Sequence, residues 1–404
     1  MAQSISQEAI GATGLPGATA ASRHAGATAS GAPTTGTFAV GDYVVDQTGA
    51  MYVCTVAGTP GTWQLSGVSV NENIAGKNLI FNGAADIAQR GTSVSITGAT
   101  VSTYGLDRWF GFTGGSNITQ SQVASGLTGF QYAVRTQRTA GQTSTGTIYL
   151  SQSLETRNTI PLAGQTVTWS FWGRIGLNFS GASNQVVSQV LSGTGTDQNI
   201  LSGYTGASYV LNATTTLTTS WQRFTYTATV SSTATEIGIL WNYVPSGTAG
   251  ANDYFDITGV QLEIAPQATP FSRAGGSIGG ELALCQRYFE MSFAQGVTPA
   301  NGSSTTSIAT AQGMWGGSGS NVSPNYPSGF IPFKVEKRTA SYTVTSYGNS
   351  LGYWGYSIGP GTPSFGSSVV AFYNYSTNGI GISNQAINAT MVSMFGHWTV
   401  SAEL

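Results

Sequence analysis

The chain has 404 residues, with 14 Lys and Arg against 16 Asp and Glu and a formal net charge of −2, so it offers no field for nucleic acid, and no Lys/Arg cluster occurs along it. Charged residues make up only 7%, while 55 glycines stand beside 9 Trp, 18 Tyr and 17 Phe; so many rings exclude a largely disordered chain and favour an all-β fold with many tight turns. No run of about 18 apolar residues occurs and MAQSISQEAIGATG lacks a basic segment followed by an apolar one, so neither a membrane span nor an export signal is expected.

Residues 1–36 are Ala, Gly, Ser and Thr with almost nothing to bury, which predicts an extended arm that orders on a partner. Glycine stands at every third place from Gly11 to Gly17, a hint of a threefold axis or a coincidence of a Gly-rich tail. Residues 37–77 form a small β module and linker, with Asp46-Gln47-Thr48-Gly49 and Pro60-Gly61 marking turns between short alternating runs. Such a piece cannot bury a core alone, so it is expected to associate with copies of itself or with another protein.

Residues 78–272 carry strand candidates about every ten residues: Leu79–Asn82, Asp107–Phe112, Phe130–Gln137, Thr147–Gln152, Thr166–Ile175, Gln185–Leu191, Trp221–Val230, Glu236–Tyr243 and Tyr254–Ile264. With no helical stretch between them, this predicts an antiparallel β-sandwich. In the last run Phe255 and Ile257 alternate with polar residues, and after Gly259 the alternation resumes one place out of step in Val260, Leu262 and Ile264, which reads as a bulge. Pro266 and Pro270 end strand pairing.

Residues 273–404 begin with a short helix opened by Glu281, with Leu282, Cys285 and Phe289 at helical spacing, and continue as a β domain. Its strand candidates are Phe330–Val335, Ser341–Tyr347, Ser367–Tyr375 and Thr390–Ala402. Cys54 and Cys285 lie in different predicted domains and read as buried free thiols, a disulfide between them being the alternative.

Several stretches carry a resemblance. VQLEIAPQATPFSR followed by ELALCQRYFE, NLIFNGAADIAQRG with YGLDRWFG, the pair VTWSFWGR and WQRFTYTATV, and the terminal TVSAEL together resemble bacteriophage tail-fibre and related virion proteins over residues 78–404. The sandwich opening near NLIFNG and closing with FDITGVQLE resembles jelly-roll carbohydrate-binding modules. This implies a homotrimer made in the host cytoplasm, residues 1–36 docking on a virion tail or baseplate protein, and a β-rich C-terminal domain at the distal tip. A host cell-surface polysaccharide would be its partner in adsorption. The scarcity of charge agrees with much surface covered by identical neighbours. The alternative is a purely structural virion component, such as a head fibre, collar or baseplate decoration. A secreted carbohydrate-active enzyme is disfavoured by the missing signal sequence and catalytic domain. Many modules of the carbohydrate-binding kind hold a structural calcium near their terminal strands. The resemblance would place its oxygen ligands at Asn82, Asp86, Asp253 and Asp256, residues that equally serve as turn-formers and strand-edge solubilisers.

No catalytic constellation emerges. Of two histidines, His24 lies in the arm and His397 among Phe395, Trp398 and Val400, so neither a Ser-His-Asp arrangement nor a zinc site is expected. The pairs Asp42/Asp46 and Asp253/Asp256 sit in strands or turns, and the short-strand period of depolymerising β-helices is missing, so the chain is expected not to be an enzyme. Sugar recognition needs aromatic faces and planar polar groups on shallow surfaces. Trp315, Tyr326, Tyr353, Trp354 and Tyr356 are flanked by Gly or Pro in loops and are glycan-binding candidates, with trimer-interface or core packing as the alternative. Trp172 joins them because alternation sets it opposite Val167, Trp169 and Phe171, although it could equally pack on a neighbouring subunit. Asp107-Arg108-Trp109 reads as an Asp–Arg contact beside an aromatic anchor, with a binding role as the alternative.

Overall fold

The computed structural model describes residues 24–47, 49–66, 74–98, 101–302, 328–357, 364–365, 370–383 and 393–404. It divides into two compact units, with the border between Glu72 and Asn73.

The first unit is one four-stranded sheet in the order β1 (His24–Thr28), β2 (Tyr43–Asp46), β3 (Met51–Val56), β4 (Thr62–Leu65). β1 pairs parallel with β2 and the other two ladders are antiparallel. His24–Thr28 is therefore a strand where the composition reads as an extended arm. Asp46 holds it by accepting the Gly31 N–H at 3.0 Å and the Ala50 N–H at 2.9 Å. Asp42 accepts the Ala39 N–H at 2.9 Å, so both aspartates of this pair tie down loops. Val44 and Cys54 are buried, while Val40 and Val56 stay more than half exposed, as expected of a single-layer sheet.

The second unit begins with a segment pinned by side chains. Asn78 and Asn82 bond to backbone on both sides, and Asn82 and Ala85 adopt positive φ, so Leu79–Asn82 is a clamped loop where an apolar run predicts a strand. The strands that follow are β5 (Ser93–Ile96), β6 (Val101–Tyr104), β7 (Phe110–Thr113), β8 (Ile118–Ala124), β9 (Tyr132–Arg138), β10 (Ile148–Ser153), β11 (Thr166–Ile175) and β12 (Gln185–Gly193). After them come β13 (Ser208–Thr216), β14 (Gln222–Thr229), β15 (Glu236–Tyr243) and β16 (Tyr254–Ile264). They build two six-stranded sheets, β13-β12-β15-β10-β7-β6 and β14-β11-β16-β9-β8-β5.

The pairing of the last eight strands is nested: β9 with β16, β10 with β15, β11 with β14, β12 with β13, all antiparallel. Adding β11–β16 and β12–β15 contacts gives the four-strand halves β9-β16-β11-β14 and β10-β15-β12-β13, which is the strand order of a jelly roll. Between the sheets lies one apolar core, in which Trp109, Trp169, Trp241 and Phe171 are fully buried. The bulge lies where the alternation slips: Ser170 faces Gln261 and Trp172 faces Thr258, with Gly259 at φ +59° between them.

The remainder packs on the sandwich. Helix α1 (Thr156–Thr159) is a single turn, and α2 (Ile278–Gln286) is capped by the Ser277 hydroxyl, which accepts the Gly280 N–H. Phe289, at helical spacing in sequence, falls instead in β17 (Phe289–Met291). Then come β18 (Ser328–Pro332), β19 (Thr343–Tyr347), β20 (Gly355–Ser357), β21 (Ser364–Phe365), β22 (Ala371–Ser376), β23 (Gly379–Ser383), β24 (Ser393–Phe395) and β25 (His397–Ser401). They form three small sheets, β17-β25-β19, β18-β23-β22 and β21-β20-β24, over a core of Ile331, Trp354, Ile380, Ile382, Trp398 and Val400.

Ion pairs join this part to the jelly roll, so residues 78–272 and 273–404 belong to one compact unit. Arg287 meets both oxygens of Glu155 at 2.8 and 2.9 Å, and Arg338 meets Asp197 at 2.8 Å. Glu403 lies between Arg90 and Arg108. Cys54 and Cys285 are both buried free thiols.

Candidate functional site

Register places five residues of the β13-β12-β15-β10-β7 sheet in one row: Phe112, Tyr149, Asn242, Val187 and Thr214. Because neighbours along a strand point to opposite faces, burial of Val186, Val190, Ile239 and Trp241 turns Val187, Gln189, Leu240 and Asn242 outward. On this outer face the Phe112 and Tyr149 rings meet edge to face at 5.4 Å. Beside them runs a chain of carboxamides. Asn242 Nδ2 donates to Gln189 Oε1 at 3.4 Å, and Gln189 Nε2 donates to Asn212 Oδ1 at 3.0 Å. An amide carries acceptor and donor capacity, and the outer ends of the chain, Asn242 Oδ1 and Asn212 Nδ2, bond to no group among the described residues. Ile200, Tyr204 and Leu240 pack under Tyr149 and fix its ring.

The opposite sheet presents a second feature. Trp172 lies on its outer face in a cleft of about 390 Å³ with Phe130, Phe271, Arg223, Arg273 and Gly259. The loop that follows β16 folds back over this face and forms one wall. Thr269 N donates to Glu263 at 2.9 Å and Ser272 N donates to Gln261 at 2.8 Å. Phe130 and Phe271 meet edge to face at 5.1 Å. A side chain at Gly259 would meet the Phe130 ring at 2.6 Å and Trp172 at 3.0 Å, so the missing Cβ leaves room for both rings.

No protein-family model matches the chain, and no curated protein matches it. Among solved structures it is similar to a family 4 carbohydrate-binding module, at 16% identity and a TM-score of 0.28 over 49% of this chain and 100% of that one. It is similar to the enzymatically active domain of tailspike protein 4 of bacteriophage CBA120, at 13% identity and a TM-score of 0.28 over 47% of this chain and 22% of that one. A xylan-binding domain from Paenibacillus barcinonensis matches at 13% identity and a TM-score of 0.27, over 48% of this chain and 98% of that one. Strand order, not these likenesses, makes the sandwich a jelly roll.

The aromatic residues expected in distal loops fare differently. Trp354 is fully buried in the small C-terminal core, with Gly396 against its ring, so it is a packing residue and offers no face to a ligand. Tyr353 is half-buried, its N–H donating to Asn349 Oδ1 at 3.0 Å. Tyr356 lies in β20 and its side chain falls outside the described residues, as do Trp315 and Tyr326 altogether. His397 is buried, stacked on Phe293 at 4.1 Å with Nδ1 against the Ser292 hydroxyl.

The proposed calcium ligands do not fit an ion. Asp256 is bound by Arg135 through two bonds of 2.8 and 2.9 Å and by Arg174 at 2.9 Å. Asp253 accepts from Ser180 twice and pairs with Arg138, and Asp86 pairs with Arg273 at 2.8 Å. Asn82 spends its amide on the backbone of Ile87 and Asp107. Among the described residues no three acidic, His or Cys side chains form a group able to hold a metal. A guanidinium already supplies the charge that a cation would bring.

Buried carboxyls are spent on structure as well. Asp107 does not meet Arg108; it accepts from the Gln89 backbone and side chain, both at 2.6 Å, while Arg108 turns to Glu403. Burial pushes the carboxyls of Asp107, Glu236 and Glu281 up, and each is bonded to backbone N–H groups of its own fold.

Proposed function

We propose that this chain is a bacteriophage virion fibre protein that adsorbs to a host cell-surface glycan through the outer face of the β13-β12-β15-β10-β7 sheet, acting by binding and not by catalysis. The supporting observation is the row of Phe112 and Tyr149 rings beside the Asn242–Gln189–Asn212 amide chain. Sugar rings present apolar C–H faces and edges of hydroxyls, which suit rings next to paired donors and acceptors on an open surface. Residues 1–36 would dock on the particle, and three copies would assemble along the fibre, raising effective concentration so that shallow sites suffice.

The test is binding of the labelled full-length protein to a panel of bacterial surface polysaccharides, with Tyr149→Ala and Gln189→Ala as variants. Selective binding that both variants weaken, with unchanged thermal unfolding, supports the reading. Uniform lack of binding would leave a structural decoration of the particle as the role. New reducing ends in the incubated polysaccharide would show catalysis.

A further inference from the structure

The cleft around Trp172 differs in chemistry from the amide row on the other sheet. Its rings come from three elements: Trp172 from β11, Phe130 from the turn before β9, and Phe271 from the loop after β16. Trp172 makes no ring stack and no indole hydrogen bond with any described residue, and its side chain is only partly covered. Arg223 stands across the ladder from it. Its Nη2 donates to the Thr269 carbonyl and to Ser170 Oγ, leaving Nε and Nη1 with no partner among the described residues.

Most arginines of the sandwich are ion-paired. Arg90, Arg108, Arg135, Arg138, Arg174 and Arg273 each meet a carboxylate, whereas among the described residues Arg223, like Arg157, meets none within ion-pair distance. Glu263 is near enough to act on Arg223 through its charge, but it makes no ion pair with it. Glu263 is buried, with its oxygens taken by Gln261 and by Thr269 N–H and hydroxyl, and Asp86 is held by Arg273. The exposed wall of the cleft therefore carries an uncommitted guanidinium edge opposite an uncommitted indole face.

We propose that this cleft binds an acidic sugar, a carboxylated monosaccharide unit such as a uronic acid, with its ring against Trp172 and its carboxylate on Arg223. A guanidinium offers two parallel N–H donors that match a carboxylate, and an indole face suits the C–H side of a pyranose. The proposal rests on the reading of the chain as a glycan binder and adds a second subsite, on the opposite sheet, that selects charge.

The experiment is saturation-transfer NMR on the full-length protein with glucuronate, galacturonate, glucose and galactose as probes. It is run on the wild type, Arg223→Gln, Trp172→Ala and, as the control for the amide row, Tyr149→Ala. Saturation of the uronates that falls about tenfold or more in Arg223→Gln and Trp172→Ala but persists in Tyr149→Ala supports the proposal. Equal saturation of charged and neutral sugars by the wild type, an unaltered uronate signal in Arg223→Gln, or no uronate signal at all would overturn it. Loss of neutral-sugar signal in Tyr149→Ala alone speaks to the amide row and leaves the acidic subsite judged by its own variants.

Discussion

Arg108 and Glu403, 295 residues apart in sequence, form a buried ion pair that Arg90 completes from the other side at 2.7 Å. The Arg108 guanidinium also lies 3.5 Å from the centre of the Tyr288 ring and donates to the Ser153 carbonyl at 2.6 Å. One residue thus joins the turn before β7, the strand β10, the start of the C-terminal part and the residues that follow β25. Glu403→Gln leaves a buried guanidinium without its counter-charge, so it is expected to destabilise by about 3–5 kcal/mol. Urea unfolding followed by tryptophan fluorescence checks this; a loss under about 1 kcal/mol would show that Arg90 and Arg108 find other partners.

Trp354 fills the C-terminal core, so Trp354→Ala is expected to destabilise by about 3–5 kcal/mol and to weaken glycan binding no more than unfolding explains. Differential scanning calorimetry beside a binding assay at low temperature separates the two effects.

Gln189 holds the centre of the amide row. Gln189→Ala removes two hydrogen bonds and is expected to lower affinity for a glycan bound by this face about 5- to 100-fold, with little change in stability because the side chain stands on the outer face. Isothermal titration against a polysaccharide bound by the wild type reads this directly.

Gly259 combines a φ of +59° with the Phe130 and Trp172 rings closing on the place a β-carbon would take, so Gly259→Ala is expected to cost about 1–3 kcal/mol and to displace Phe130 or Trp172. A crystal structure of the variant, or altered uronate saturation with the fold retained, checks the displacement.

Burial raises the Glu281 carboxyl above the value of an unfolded glutamate, with backbone bonds to Gly275 and Asn82 acting against it. The folded state therefore favours the protonated form. The stability from this group is fully present below about pH 4.3, the unfolded value, and is lost as pH rises through the folded pKa. Asp107 and Glu236 act in the same sense. Glu281→Gln is expected to reduce the fall in Tm on going from pH 4 to neutrality, and an unchanged slope would show that this carboxyl does not govern it.

Much of the sandwich was legible because its central strands alternate. Thr166–Ile175, Glu236–Tyr243 and Tyr254–Ile264 are strands with the bounds that period-two patterning gives them. β13 is not legible, since SYVLNATTT has few apolar residues, a register shift at Val210 breaks its alternation, and Thr215 stands beside Val210 and Leu211 on the core. Leu79–Asn82 misleads in the other direction: three apolar residues look like a strand, yet the Asn78 and Asn82 side chains satisfy the backbone that a ladder would have served. Alternation alone puts Trp172 on an outer face, and it lies there. The amide row leaves no mark in the sequence, because Phe112, Asn242 and Asn212 become neighbours only through strand order. Asp256 suggested a cation, and the cations it meets are arginines 121 and 82 residues away.

The nesting of strand pairs dictates an order of assembly. β12 and β13 are consecutive strands with only residues 194–207 between them and can meet soon after both are synthesised, whereas β9 must wait for β16, whose last residue emerges more than a hundred positions later. Until then the edge of β9 is open to the wrong strand, of this molecule or another nascent one. Yield of native protein should thus depend on translation speed and chaperone supply between Arg138 and Tyr254, more than on the thermodynamic stability of the finished sandwich.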